Sequence, residues 1–170
     1  SHRALGRKDP EAPGPWDAPA AESDLATWGR RAGRFGGAIM LRLGVALARH
    51  AAEVSQPPDA ARAALDEGFA VADRFLDAGA TAVTDELDAA AKAVARAALK
   101  LELDSPPRRA CQVLLPMLRA MLDVLNDGAP DQEQLKAHYV RLLDQAGGMK
   151  LEFAPLQAAV RDEVVAWALA

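Results

Sequence analysis

The sequence is poor in cysteine, aromatic residues, serine and threonine. Cys111 is the only cysteine, which excludes an internal disulfide and a zinc site of the cysteine–histidine type. Aromatic residues make up only 5%, and serine and threonine together number seven, against 39 alanines. Alanine favours helices, whereas strands are enriched in β-branched and aromatic residues. These shortages predict an all-α protein with a core of leucine, valine and alanine.

The sequence also lacks a hydrophobic run that is long enough to cross a membrane. The longest nearly uninterrupted apolar segment covers residues 35–48 and contains Arg42, whereas a spanning helix needs about 20 apolar residues. We therefore expect a buried helix and no transmembrane segment. The first 20 residues show no apolar core of a signal peptide, and the single cysteine fits a reducing compartment, so we expect a cytoplasmic protein.

Neither the net charge nor the motifs point to a known chemistry. A net charge of −4 argues against bulk nucleic-acid binding, which depends on phosphate neutralisation. The sequence has no Gly-x-Ser-x-Gly motif, no Walker-type loop and no Glu-x-x-His pair. The glycines between Gly33 and Gly37 follow no predicted strand, so close helix packing explains them better than a dinucleotide site. We predict no cofactor and no metal site.

The chain divides into an arm and a helical domain. Residues 1–20 hold four prolines and are predicted to form an arm or linker, and residues 21–170 to form a single bundle domain. The chain begins with Ser1 and His2 rather than methionine, which we interpret as a processed tag or an excised segment.

Apolar spacing predicts about six helices in the bundle. The first covers residues 25–53, is long and largely buried, and is expected to lie at the centre. Proline, acidic and capping residues predict the starts of the later helices, near Asp59, Thr84, Pro106, Asp131 and Pro155. Pro116 lies inside the fourth helix and is predicted to kink or break it. Cys111 is expected to be buried, because it shares a helix side with leucines.

The predicted first helix has an apolar, a glycine-rich and an arginine-bearing face. Five glycines should allow a neighbouring helix to approach closely. They are Gly29, Gly33, Gly36, Gly37 and Gly44. A ridge of four arginines follows one face, formed by Arg31, Arg34, Arg42 and Arg49. Arg42 lies within the apolar run and is predicted to be structural, because a buried guanidinium needs a partner or a route to water.

The arginine ridge supports the first function hypothesis, a non-catalytic interaction or regulatory module that engages an acidic protein partner or an anionic ligand. The predicted partner-binding residues are Arg30, Arg31, Arg34 and Trp16. The simpler alternative is that the ridge forms salt bridges to acids of neighbouring helices, or is merely solvated.

Asp73 and Asp77 lie one turn apart on the second helix and could share a cation, although a solvated acidic face is the preferred interpretation.

Two other hypotheses stay open at this point. A small-molecule effector domain would use a pocket lined by Trp28, Phe35, Met40, Met117 and Met121, because methionines adapt to varied ligands. An enzyme would use His50 or His138. A cavity of several hundred Å³ favours the effector domain, and a histidine–carboxylate pair in a cleft favours the enzyme.

Overall fold

The computed structural model describes residues 29, 33–34, 36–78, 84–127, 132–149, 151, 158 and 161–162. Within these residues the chain forms five α-helices, and no described residue lies in a β-strand. The helices are α1 (Gly37–Ser55), α2 (Asp59–Ala78), α3 (Thr84–Leu99), α4 (Pro106–Asp127) and α5 (Gln132–Gly147). The predicted all-α bundle is confirmed for this part of the chain.

Local chemistry explains where several helices begin and end. Gln56 adopts a left-handed conformation (φ 47°) that ends α1, and Pro57 and Pro58 follow because proline cannot continue a helix. Before α4, the Ser105 hydroxyl accepts a hydrogen bond from the Arg108 amide at 3.4 Å. Pro106 then stands at the first helical position, where a missing N–H costs nothing.

The first predicted helix differs most from the structure. Gly36 (φ 119°, ψ 174°) precedes α1 and is not helical, so the continuous helix expected over residues 25–53 is interrupted there. Gly33 is helical and Arg34 lies in a turn. The whole predicted arm and most of the sixth helix lie outside the described residues, although positions 158, 161 and 162 are helical.

The chain folds back on itself at Gly36. A Cβ at Gly29 would meet Leu143, one at Gly33 would lie 2.7 Å from Tyr139, and one at Gly37 would lie 2.8 Å from Leu135. The described positions Gly29, Gly33 and Gly37 therefore follow α5 in the antiparallel direction. Further along α1, a Cβ at Gly44 would lie 3.2 Å from Leu142, so α1 returns parallel to α5. Four of the five glycines allow close packing, as predicted, but they serve two segments rather than one helix. Gly36 is the exception, because a Cβ there would have nothing within 4 Å.

The centre of the bundle is shared by α1 and α4. Helix α4 packs against each of the other four helices, whereas α1 packs against α2, α4 and α5. Several α4 side chains are completely inaccessible to solvent, namely those of Cys111, Val113, Leu114, Met117, Leu118 and Met121. Eleven residues of α1, from Ile39 to Ala52, are also buried. The long, largely buried first helix expected at the centre over residues 25–53 is thus not confirmed, because α1 begins at Gly37 and shares the middle with α4.

Apolar side chains at helical spacing on α2, α3 and α5 lie in the core. The buried members are Leu65, Phe69 and Ala72 of α2, Leu87, Ala91, Val94 and Ala98 of α3, and Leu135, Tyr139, Leu142 and Ala146 of α5. On the outer side of α3, Lys92 pairs with Asp88 at 2.7 Å. Helix α4 continues through Pro116, so the predicted break is wrong. The alternative, a kink, stays a prediction.

The close approach of the glycines gives a first testable prediction. Gly33→Leu and Gly37→Leu should each lower the free energy of unfolding by about 1–3 kcal/mol, because a larger side chain overpacks the contact with Tyr139 or Leu135. Chemical denaturation of the two variants measures the change. Both variants melting at or above the parent temperature would contradict the packing described here.

Candidate functional site

Arg42 and Arg49 of α1 both bind groups on α2. The Arg49 guanidinium lies 2.8 Å from each carboxylate oxygen of Asp73 and 5.2 Å from the centre of the Phe69 ring. A guanidinium suits this combination, because it can bind a carboxylate and stack on an aromatic ring at the same time. The partner of Arg49 is thus on α2.

Arg42 occupies the position that the sequence marks as structural. Its side chain is only 11% exposed, and its guanidinium donates a hydrogen bond to the Leu76 carbonyl at 3.1 Å. The carboxylate of Asp77 lies 3.8 Å away, and its side chain is 75% exposed. Asp73 and Asp77 therefore take one arginine each instead of sharing a cation. For Arg42 and Arg49, the simpler interpretation of the ridge holds, namely contacts with a neighbouring helix.

The surroundings of Arg42 set the size of its contribution to stability. Arg42→Ala should lower the free energy of unfolding by about 1–3 kcal/mol, because the stem loses its packing and the Leu76 carbonyl loses a charged donor. The exposed Asp77 adds little, since exposed ion pairs contribute roughly 0–1 kcal/mol. Urea denaturation compares this variant with Arg34→Gln, for which we expect a change below about 0.5 kcal/mol. Equal losses in the two variants would make Arg34 structural as well.

Arg34 differs from these two arginines, because its side chain is exposed. It stands at the edge of an open concavity of about 480 Å³ between the segment before α1 and helix α5. Met40, Tyr139 and Val140 supply its apolar lining, and Gln132, Glu133 and Lys136 supply polar groups. The other predicted partner-binding residues, Trp16, Arg30 and Arg31, lie outside the described residues.

The methionine pocket predicted from the sequence is not assembled as one cavity by the residues that the structure describes. Met40 lines the concavity beside Arg34, whereas Met117 and Met121 are fully buried in the core. The sulfur and Cγ of Met117 fill the space next to Gly44. Trp28 and Phe35 lie outside the described residues. Of the three described residues proposed for this pocket, Met40 is the one that reaches a concavity.

The structure brings one histidine and one carboxylate together. Nε2 of His138 on α5 lies 2.8 Å from Oδ2 of Asp123 on α4, and Nδ1 of His138 is buried with no hydrogen-bond partner among the described groups. Neither residue lines the concavity beside Arg34 or the cavity of about 450 Å³ between α1 and α2. The pair lies at the contact between α4 and α5. His50 is half-buried.

Two ionisable core groups are held in their neutral forms by burial. Burial raises the pKa of the Cys111 thiol to about 11, so the thiolate that would be needed for reactivity is scarce at neutral pH. Burial also raises the pKa of Tyr139 above its usual range. The protonated Tyr139 hydroxyl donates a hydrogen bond to the Gly29 carbonyl at 2.6 Å. This bond ties the segment before α1 to α5.

Sequence reasoning missed the Asp123–His138 pair, the Tyr139–Gly29 bond and the cavity between α1 and α2. The spacing within one helix shows which residues share a face, but not which residue of another helix stands opposite.

Comparison of the chain with protein-family models, curated proteins and solved structures finds no match. No described helix is long and apolar enough to cross a bilayer. The described residues contain no group of three His, Cys, Asp or Glu side chains arranged to hold a metal ion.

Proposed function

We propose that this chain is a non-catalytic helical interaction and regulatory module of the cytoplasm that engages an acidic protein partner. In this proposal the bundle has about six helices, the last of them after Pro155. The observation that carries it is the different placement of the arginines. Arg42 and Arg49 stabilise the contact between α1 and α2, whereas Arg34 is exposed beside a concavity.

The position of Arg34 favours partner binding over scaffolding. An exposed guanidinium stays fully hydrated until a partner arrives, and its planar donors match the geometry of a carboxylate. Arg30 and Arg31 precede it by only a few residues, so the sequence concentrates positive charge at one end of α1. In an acidic chain, such a local cluster is suited to recruiting an acidic surface at low or moderate salt.

This proposal predicts that Arg31 and Arg34 contribute to binding and not to stability. The double variant Arg31→Gln/Arg34→Gln should bind peptides rich in aspartate and glutamate at least about tenfold more weakly than the parent. Its free energy of unfolding should stay within about 0.5–1 kcal/mol. Fluorescence anisotropy over a salt series measures the affinity, and the parent affinity should fall as the salt concentration rises.

A matched control separates this local effect from the change in net charge. Arg96→Gln/Arg119→Gln removes two positive charges from exposed positions on α3 and α4, and it should leave peptide binding nearly unchanged. The same loss of affinity in both double variants would reduce the effect to general electrostatics. A comparable loss of stability from the Arg31/Arg34 change and from Arg42→Ala would make the whole ridge scaffolding.

A small-molecule effector domain is the second candidate, because the concavity beside Arg34 has a volume of about 480 Å³, within the range typical of ligand sites. Native mass spectrometry of the protein recovered from its own cells would report a bound small molecule in that case, and a bound protein in the first. An enzyme that uses His138 is the third candidate and depends on the pair with Asp123.

A further inference from the structure

The exposed side of α5 carries a groove that is longer than the concavity beside Arg34. A second shallow concavity of about 400 Å³ is lined by Ala137, Arg141 and Asp144 together with three residues of the first. The shared residues are Glu133, Lys136 and Val140. The two concavities therefore adjoin along α5, and together they are called the α5 groove below. From Gln132 to Asp144 they follow α5 for about 18 Å, given a rise of roughly 1.5 Å per residue.

The floor of this α5 groove is apolar and its edges are mainly positive. Met40, Tyr139 and Val140 line one half, and Ala137 extends the apolar strip into the other half. Arg34, Lys136 and Arg141 are exposed along the edges. Within the part of the chain that the structure describes, none of the recorded ion pairs includes any of these three cations.

The acids at the groove offset this positive charge only in part. The two carboxylates of the lining are Glu133, which takes part in an interaction of its own, and Asp144 at the far end of the groove. Three exposed cations thus stand against two carboxylates beside an apolar strip, which leaves the lining with a net charge of +1. An anionic occupant with an apolar side complements this arrangement.

We propose that the α5 groove binds an acidic amphipathic helix of a partner protein, laid along α5. This inference rests on the function proposed above and names the surface and the form of the partner. A helix fits because three turns cover about 16 Å, close to the length of the groove. Apolar side chains spaced three and four residues apart would contact the strip formed by Met40, Ala137 and Val140. Carboxylates on the two flanks of the helix would reach Arg34, Lys136 and Arg141.

Selection from a displayed library of short helical peptides, with the full chain as bait, tests the proposal. The enriched peptides should combine apolar residues at helical spacing with Asp or Glu on both flanks. In a binding assay, Lys136→Glu/Arg141→Glu should weaken the best peptide by about tenfold or more. The matched control Arg96→Glu/Arg119→Glu should change its affinity less than about twofold, because those side chains are exposed elsewhere on the bundle. Thermal unfolding of both variants should remain like that of the parent, since all four positions are exposed.

The outcomes separate the groove from the broader function. Acidic peptides that bind Lys136→Glu/Arg141→Glu normally but lose affinity for Arg31→Gln/Arg34→Gln would overturn the groove and leave the proposed function standing. Enriched peptides without acidic residues would overturn both. A scrambled peptide that binds as tightly as the original, or no enrichment at all, would overturn the groove as a helix site. So would self-association of the parent in sedimentation that the Lys136/Arg141 change abolishes, because the occupant would then be a second copy.

Discussion

Gly44→Leu is expected to lower the free energy of unfolding by about 3 kcal/mol or more, at the upper end of the cost of overpacking. Even a Cβ at Gly44 would meet Sδ and Cγ of Met117, and it would lie 3.2 Å from Leu142. Met117 and Leu142 are both fully buried, so neither side chain can swing into solvent to make room. Because small domains have only about 5–15 kcal/mol of stability, urea denaturation should show a large shift of the midpoint.

A double-mutant cycle attributes this loss to the contact with Met117. Met117→Ala alone should destabilise the fold by creating a cavity, at a cost of about 2–5 kcal/mol. In the double variant, the leucine at position 44 fills part of that cavity, so the combined loss should be smaller than the sum of the single losses by about 1 kcal/mol or more. Strict additivity, or a Gly44→Leu variant as stable as the parent, would contradict the packing of α1 against α4.

The parts of the fold that follow from spacing within one helix could be predicted from the sequence. Leu87, Ala91, Val94 and Ala98 repeat at intervals of four and three residues, and all four are buried. Cys111 was expected to be buried because leucines share its side, and it is completely inaccessible. In these elements, the apolar face of the helix determines its orientation toward the core.

The fold-back at Gly36 could not be predicted from spacing alone. Glycines three and four residues apart predict close packing along one straight helix, and the same spacing also suits two segments that pack on α5 in opposite directions. The candidate site depends on a similar unknown. Arg42 and Arg49 lie on one face of α1, but the sequence does not show that Leu76 and Asp73 of α2 stand opposite them. Such pairings follow from the register between helices, which is fixed by the whole core.

The second large effect is expected at Gly36, where the cause is backbone strain rather than packing. Gly36 combines φ 119° with ψ 174°, a region that is almost restricted to glycine and costs other residues about 1–3 kcal/mol. A Cβ at this position would have nothing within 4 Å, so space does not limit the substitution. Gly36→Ala should therefore lower the free energy of unfolding by about 1–3 kcal/mol.

Gly147→Ala is the matched control for Gly36→Ala. A Cβ at Gly147 also has open space around it, but Gly36 is the only described glycine with a positive φ. Alanine at position 147 should thus be neutral or should stabilise α5 by up to about 1 kcal/mol through its helix propensity. If both variants changed stability by the same amount, the left-handed backbone at Gly36 would not be responsible.

Gly36→Ala should also weaken peptide binding to the α5 groove, because the turn at Gly36 places Arg34 alongside α5. If Gly36→Ala relaxes into a helix that continues past residue 36, the segment before α1 leaves α5 and the hydrogen bond from Tyr139 to the Gly29 carbonyl is lost. The folded fraction of Gly36→Ala should then bind an acidic helical peptide about as weakly as the Arg34→Gln variant does. That loss should persist at temperatures where circular dichroism shows the bundle intact. Unchanged peptide affinity in a destabilised Gly36→Ala variant would mean that Arg34 keeps its place without the turn.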